Sequence, residues 1–335
     1  DYLTSLRGRK LLTFEETTGS HWLYVELRES VDRILVCDPY RNALLRQGPK
    51  TDKIDAAKLC HLLRAGLLHE VHHTLESDYW LRKLVRCYWS LVKSGVRVQN
   101  QKSALYRAVG LHYKKEPFVS DNWVLNFVAD YLDETIVHYE SYKKCFQQQF
   151  HRLRHSHPVI GYLAGISGIG KVNAVTLYAL VLDARRFATK YHFWSYCGLV
   201  RHEKISGGRS YGNRRGRYAS LLKFVFRTAA MTAIGGHNDI REYYETLLAQ
   251  GYSPQKAQHH ISRYIATSCY AVMKHKVAYQ PYQWRKHRQK QDQEHNSSPG
   301  LVVPPEPNAC GFHAPDNGAR GSIGMMLHTE SQRVG

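Results

Sequence analysis

An α/β unit followed by an all-α remainder is the fold class that the sequence predicts, and three observations predict it. Two apolar runs, residues 10–15 and 33–39, flank one helix-period stretch at residues 20–30. Two long helix-period stretches follow, at about 76–112 and 121–156. Beyond them, apolar residues recur at helical spacing, broken by glycine-bearing turns, until about residue 286. Strands separated by a helix build a parallel sheet covered by helices, whereas sustained three-and-four spacing builds helix-on-helix packing.

The first run, KLLTFE, reads as a short buried strand, and ETTGSH supplies the turn into an amphipathic helix. RILVCDP, apolar and stopped by Pro39, reads as the second strand. A strand, helix, strand order is a βαβ crossover, so the two strands should lie parallel. Thr51 or Asp52 then caps a helix whose Ile54, Leu59, Leu62 and Leu63 form one stripe, and Gly66 ends it.

Carboxylates gather around this unit. Asp52 and Asp55 stand three apart in the first helical turn, and Glu16 stands at the carboxyl end of the first strand. That end is where open α/β sheets bind ligands. Three carboxylates converging there would suit Mg²⁺ or Mn²⁺, which take one or two carboxylates and complete their shell with water and phosphate oxygens. The competing reading is that Asp52 and Asp55 only answer the helix dipole.

The long stretches predict an antiparallel helical hairpin turning around KKEP, able to separate two domains or to pair with another subunit. Its aromatic stripe, Trp123, Phe127, Tyr131, Tyr139, Tyr142 and Phe146, reads as packing. Arg82, Lys83, Arg86, Lys93, Arg97 and Lys102 offer an outward basic face that could follow a nucleic-acid backbone or merely meet solvent. Residues 158–187 look like a helix-hairpin-helix unit: Gly168, Ile169 and Gly170 turn, and Lys171 opens the next helix. Such a turn presents amides to a phosphate, or is a packing device.

Residues 199–224, LVRHEKISGGRSYGNRRGRYASLLKF, concentrate the chemistry. Ser206 adjoins two glycines and is followed by Arg209, Arg214, Arg215 and Arg217, with almost no acid to neutralise them. Glycines admit a phosphodiester, arginines clamp its oxygens, and a serine hydroxyl among them can act as ligand or nucleophile; the competing reading is a solvated basic loop. Helices at 219–235 and 239–250 follow, then one opened by Ser253-Pro254. Residues 287–335, without periodicity and rich in Pro, Gly, Gln and Asn, read as a disordered tail.

The chain has 335 residues, a formal charge of +19 and a pI near 9.6. Such an imbalance points to a polyanionic partner, and with no apolar run long enough to cross a bilayer, nucleic acid is favoured over membrane. Seven dispersed cysteines without a C-x-x-C pair read as reduced thiols, arguing against zinc and a disulfide framework. The 20 histidines, including His72–His73 and His259–His260, read as scattered surface residues.

Taken in order, ETTG (16–19), KTDKIDA (50–56), GIGK (168–171), RF (186–187), YCGL (196–199) and ISGG (205–208) resemble the transposases of the insertion-sequence 110 family. The likeness runs from about residue 8 to about 285. It implies an amino-terminal RuvC-like domain of RNase H type with four acids in the order Asp, Glu, Asp, Asp, and a carboxy-terminal domain with a nucleophilic serine. Matched motif by motif, Glu16, Asp52 and Asp55 fall on three of the four acids and Ser206 on the serine. The resemblance further implies Mg²⁺ in the acidic domain, DNA as substrate, a structured guide RNA, and a site completed between subunits of a dimer or tetramer. It places the protein in the cytoplasm of a prokaryotic cell, acting at the nucleoid. The implied layout is a RuvC-like domain at 1–75, a helical hairpin at 76–156, a serine-bearing transposase domain at 157–286 and a tail at 287–335.

One departure qualifies this. The family's first Asp lies on an opening strand before the Glu, and DYLTSLRGRK is neither apolar nor alternating. The expectation is an incomplete sheet lacking its first strands, and a chain inactive as it stands. Two other readings therefore stay beside the transposase: a metal-dependent junction nuclease in which water attacks, and a nucleic-acid-binding remnant without catalysis.

Overall fold

The structure, a computed structural model, describes residues 2–41, 51–73, 76–113, 115–214 and 216–285. Lys50, Arg215 and the expected tail at 287–335 lie outside the described residues. After a short α1 (Tyr2–Ser5), β1 (Leu11–Glu15) and β2 (Arg33–Cys37) pair in parallel, Leu11 opposite Arg33 and Glu15 opposite Cys37, with α2 (Ser20–Leu27) as the crossover. This is the βαβ unit expected from the two apolar runs. Ile34, Leu35, Val36 and Cys37 are all buried, so β2 is a fully covered strand, whereas Leu11 of β1 is half exposed. The far side of β2 is occupied by residues 69–71: Asp38 N donates to His69 O at 2.9 Å, and Val71 N to Val36 O at 2.8 Å.

Thr51 caps α3 (Asp52–Arg64), its hydroxyl accepting from Ile54 N at 3.3 Å. The helix closes with Gly66 N donating to Leu63 O and Leu67 N to Leu62 O, the paired bonds of a Schellman ending. Leu59, Leu62 and Leu63 lie on a small core of Leu35, Cys37 and Leu68, which is why α3 follows this sheet.

α4 (Glu76–Ala108) and α5 (Trp123–Ser156) form the antiparallel hairpin. Gly95 of α4 faces the ring of Tyr139, and Lys102 pairs with Asp133. The aromatic stripe does not pack as a whole. Tyr139 is buried and Phe146 packs on the core, but Trp123, Phe127, Tyr131 and Tyr142 are exposed. The expectation of packing is corrected there: the hairpin has two layers, and a helix in a two-helix layer covers only one side.

The hairpin base joins the main core. Val85, Tyr88 and Phe150 share one cluster with Leu177, Phe193, Leu222, Phe226, Ile261 and Ile265. That cluster is built by α6 (Pro158–Ala164), α7 (Lys171–Val181), α8 (Lys190–Tyr196), α9 (Ser220–Gly235), α10 (Asp239–Ala249) and α11 (Pro254–His275), with a short 3₁₀ turn at Ala184–Arg186. Burying a Leu, Ile or Phe side chain contributes about 1.5–3 kcal/mol, so this cluster dominates the stability of the helical part. Asp239 ties its outer turn: Ser167 Oγ donates to it at 3.5 Å, Tyr279 Oη at 2.5 Å and Tyr282 N at 3.3 Å.

The main surprise lies between α8 and α9. The segment read as an irregular loop is an antiparallel β-hairpin, β3 (His202–Ser206) and β4 (Arg209–Arg214). Gly207 and Gly208 sit at φ +55° and +73°. Positive φ at both central residues is what a two-residue type I′ turn requires, and that turn follows the twist of paired strands. Among the described residues no helix is long and apolar enough to cross a membrane.

Candidate functional site

The parallel register fixes one edge of the site. Glu16 N donates to Cys37 O at 2.9 Å, so Glu16 follows β1 where Asp38 follows β2. Both acids therefore stand at the carboxyl edge of the sheet. Glu16 is exposed and Asp38 buried. Asp52 and Asp55 open α3; Asp52 is exposed, and Asp55 lies 3.6 Å from Lys58 Nζ. Among the described residues no three His, Cys, Asp or Glu side chains come together closely enough to hold a metal ion. The described residues of one chain thus do not form a ready metal cage.

Asp38 is a functional candidate that sequence reasoning missed. Arg217 Nη1 donates to both of its carboxylate oxygens at 2.5 Å, Arg41 lies 3.8 Å away, and Tyr40 N donates at 3.0 Å. Burial alone would raise the Asp38 carboxyl, but the Tyr40 amide, the Arg217 hydrogen bond and the Arg217 and Arg41 charges outweigh it and hold the group below its ordinary value. The guanidinium of Arg217 also sits 5.0 Å from the Tyr40 ring centre, a cation–π contact. An available signal was the acid itself: Asp38 ends the second strand at the edge where Glu16 ends the first.

The serine stands elsewhere on the same arm. Ser206 pairs with Arg209 across the two-glycine turn, while Ser210 pairs with Ile205. Directly opposed residues in such a ladder place their Cβ atoms about 4.5–5.5 Å apart on one face, so Arg209 flanks the Ser206 hydroxyl and Ser210 belongs to the other face. Both Ser206 and Arg209 are exposed at the tip. A strand advances about 3.3 Å per residue, which puts this tip roughly 13–17 Å from the hairpin root. Arg214 closes β4, and Arg217 leaves the root and reaches Asp38. Of the expected basic residues, then, Arg209 joins the serine and Arg217 joins the sheet edge.

The Gly168 turn divides in two. A Cβ at Gly168 would meet Ala229 O at 2.2 Å, and Ile169 is buried, so this side is a packing device against α9. At Gly170, which caps α7, a Cβ would meet nothing within 4 Å, and Lys171 is exposed. The face able to receive an anion is therefore the α7 start.

Histidine is less scattered than expected. His21 is buried and stacks on Tyr79 at 3.7 Å between ring centres, and His73 stacks on Tyr24 at 5.3 Å. Burial, then His21, Arg82 and His72, push the His73 imidazole down to about 4. The described cysteines are all free thiols.

Comparison with known proteins fits this arrangement. Residues 161–245, from α6 through the serine hairpin to α10, match the model described as "Transposase IS116/IS110/IS902 family". The "Insertion element IS110 uncharacterized 43.6 kDa protein" of Streptomyces coelicolor is 25% identical over 240 residues, covering 64% of this chain and 58% of that protein. The chain therefore spans less than two thirds of the length of this relative. The domain match and this likeness, joined to the ordered motifs from Glu16 to Gly208, support the resemblance to the IS110 family of transposases.

Proposed function

We propose that the chain is a DNA transposase or recombinase in which Ser206 is the nucleophile. The supporting observation is the hairpin: it holds Ser206 beside Arg209 on an exposed tip, while Arg217 at its root is tied to Asp38 on the acidic edge of the sheet. In the reaction, Ser206 Oγ bonds to the phosphorus of a DNA phosphodiester and releases its proton. The bond from phosphorus to one sugar oxygen breaks, and that oxygen takes up a proton. The phosphoserine ester conserves the energy of the broken bond, so a second DNA hydroxyl can reverse the attack and rejoin strands. Arg209 neutralises charge developing on the phosphoryl oxygens.

The parallel pair of strands with acids at its carboxyl edge supports an RNase H-like, RuvC-type unit. Glu16, Asp52 and Asp55 are its proposed Mg²⁺ or Mn²⁺ ligands, and a bound ion there would supply Lewis-acid stabilisation of phosphate charge. The exposed serine tip favours a site completed by a second copy of the chain in a homo-oligomer. Lys171, Arg209, Arg214, Arg215 and Arg217 are proposed contacts to DNA, with a structured guide RNA as the further partner and the prokaryotic cytoplasm as its place. The lack of a three-carboxylate cluster among the described residues favours a second reading, nucleic-acid binding without catalysis.

One experiment separates the readings. Junction DNA from the ends of the insertion element is incubated with the chain and Mg²⁺, then run under denaturing conditions. The transposase reading expects a protein–DNA adduct that Ser206→Ala abolishes and Ser210→Ala preserves. An adduct that survives Ser206→Ala removes the nucleophile assignment. Cleaved ends without adduct indicate hydrolysis by water, and unbroken but bound DNA indicates the non-catalytic reading.

A further inference from the structure

The two feet of the serine hairpin rest on a cationic platform formed by elements far apart in sequence. Arg263 of α11 donates from Nε to Leu199 O at 3.0 Å, at the foot where the chain enters the hairpin. Ala219 N donates to Tyr196 O at 2.9 Å, at the foot where it leaves. Around these feet stand Arg201, exposed, and Lys223, whose ammonium lies 4.7 Å from the Tyr218 ring centre. Trp194 carries two cations, Arg263 at 5.6 Å and Lys190 at 6.0 Å, and its indole N–H is anchored on Thr267 Oγ1 at 3.1 Å. Among the described residues none of Lys190, Arg201, Lys223 and Arg263 forms an ion pair with a carboxylate.

What sets the platform apart is that its cations are interleaved with aromatic rings, Arg263 and Lys190 on Trp194 and Lys223 on Tyr218. Here four cations and His259 share one area and repel one another. Such an arrangement is costly until an anion neutralises it, and cations interleaved with aromatic rings suit a nucleic-acid strand.

We propose that this platform binds the phosphodiester backbone of DNA flanking the scissile position, roughly 13–17 Å along the hairpin from Ser206. The proposal rests on the transposase reading and names where its substrate sits. DNA rather than RNA is the occupant because the platform carries the feet of the hairpin that presents Ser206, so a strand crossing it runs toward the reacting phosphate.

His259 supplies the second reporter. Burial first, then Arg263, Arg201, His260 and Lys223, hold its imidazole below the ordinary value of 6.5. These groups come from α11, from the segment before β3 and from α9, and none is acidic. His260 itself turns its ring edge to Tyr252 at 5.0 Å. A phosphate on the platform cancels the surrounding positive potential, so the His259 pKa rises on binding and affinity increases as pH falls.

The test uses the full chain and a short fluorescein-labelled DNA duplex, read by fluorescence anisotropy over a salt series. The double variant Arg201→Gln/Lys223→Gln should lower the slope of log K against log salt by about 1.8, at about 0.9 per phosphate contact. Arg263→Gln should add to this but removes the Leu199 cap, so circular dichroism melting accompanies it and the double variant carries the decision. His259→Gln should remove the part of the affinity gain that accrues as pH falls from the raised bound value to the free value below 6.5, about tenfold for each unit by which binding raises the pKa. If the wild-type chain binds no duplex, the transposase reading and this inference fall together. If it binds and the double variant keeps the wild-type slope, this inference alone falls. If a single-stranded RNA of equal length shows the variant effect and the duplex does not, the DNA assignment is overturned.

Discussion

Arg217 donates from one nitrogen to both carboxylate oxygens of Asp38, across a sequence separation of 179 residues. The bond joins the end of a sheet strand to the exit of the serine hairpin, so the position of the hairpin root depends on a residue of the first forty. The two partners are unequal. The Asp38 side chain is 11% exposed and that of Arg217 is 54% exposed.

The asymmetry predicts an order of effects. Arg217→Gln leaves a buried carboxylate without its main partner, whereas Asp38→Asn leaves a guanidinium that water can reach. The expected losses, set between those of exposed and fully buried pairs, are about 2 kcal/mol for Arg217→Gln and about 1 kcal/mol for Asp38→Asn. Urea unfolding measures both. The reverse order would show that the pair is governed by the arginine and not by the buried acid. Because the folded carboxyl is held below its ordinary value of 3.8, its contribution is complete above that pH and is lost as pH falls through the lower folded value. Stability of this contact should therefore be flat from about pH 8 to about pH 5.

The Gly168 turn allows a paired comparison. Gly168 has φ +87° and no room for a Cβ against Ala229 O, so Gly168→Ala combines backbone strain with a clash against main chain and should cost about 2–4 kcal/mol. Gly170 is open, and Gly170→Ala should change stability by no more than about 0.5 kcal/mol. Thermal melting of both variants decides whether the turn is packed on one side only. Equal destabilisation would contradict the division between a packed and an open face.

The histidine cluster predicts acid sensitivity. His73 titrates near 4 in the fold, chiefly because of burial, against an ordinary 6.5. Between these values the unfolded chain binds more protons than the folded one, so stability declines as pH drops from about 6.5 and levels off near 4. His73→Phe, which keeps the stacking on Tyr24, should flatten this decline in denaturant melts taken at successive pH values. An unchanged decline would assign it to other groups.

The sequence carried the fold well where one residue pattern had one structural solution. The two apolar runs could pair only as a crossover, and Thr51 with Gly66 bounded α3 within a residue or two. The serine segment was less legible because its strands are short, polar and exposed on both faces, leaving no alternation of apolar residues to betray them. Only the two glycines signalled a turn, and they served equally well as a phosphate loop. Asp38 was passed over because Pro39 marked a strand end and drew attention from the acid before it. The cationic platform could not be read at all, since Arg201, Lys223, His259 and Arg263 meet only after α9 and α11 have packed.

The hairpin turn separates two roles for its glycines. If they serve to bring backbone close to a phosphate, any side chain at Gly207 should impair the reaction. If they serve the turn, a residue that tolerates positive φ should be accepted, and Asn is favoured at the first central position of a type I′ turn. Gly207→Asn should then keep adduct formation near the wild-type level. Gly207→Val should lose it by about tenfold or more, because the left-handed conformation costs a residue with a Cβ roughly 1–2 kcal/mol and a β-branched one more. Both variants should melt with the wild-type chain, since the tip lies outside the buried core. Rates measured on the same junction DNA distinguish the cases. Equal loss in both variants would mean that the turn must approach the DNA backbone itself, and that the pairing of Ser206 with Arg209 is not enough to present the nucleophile.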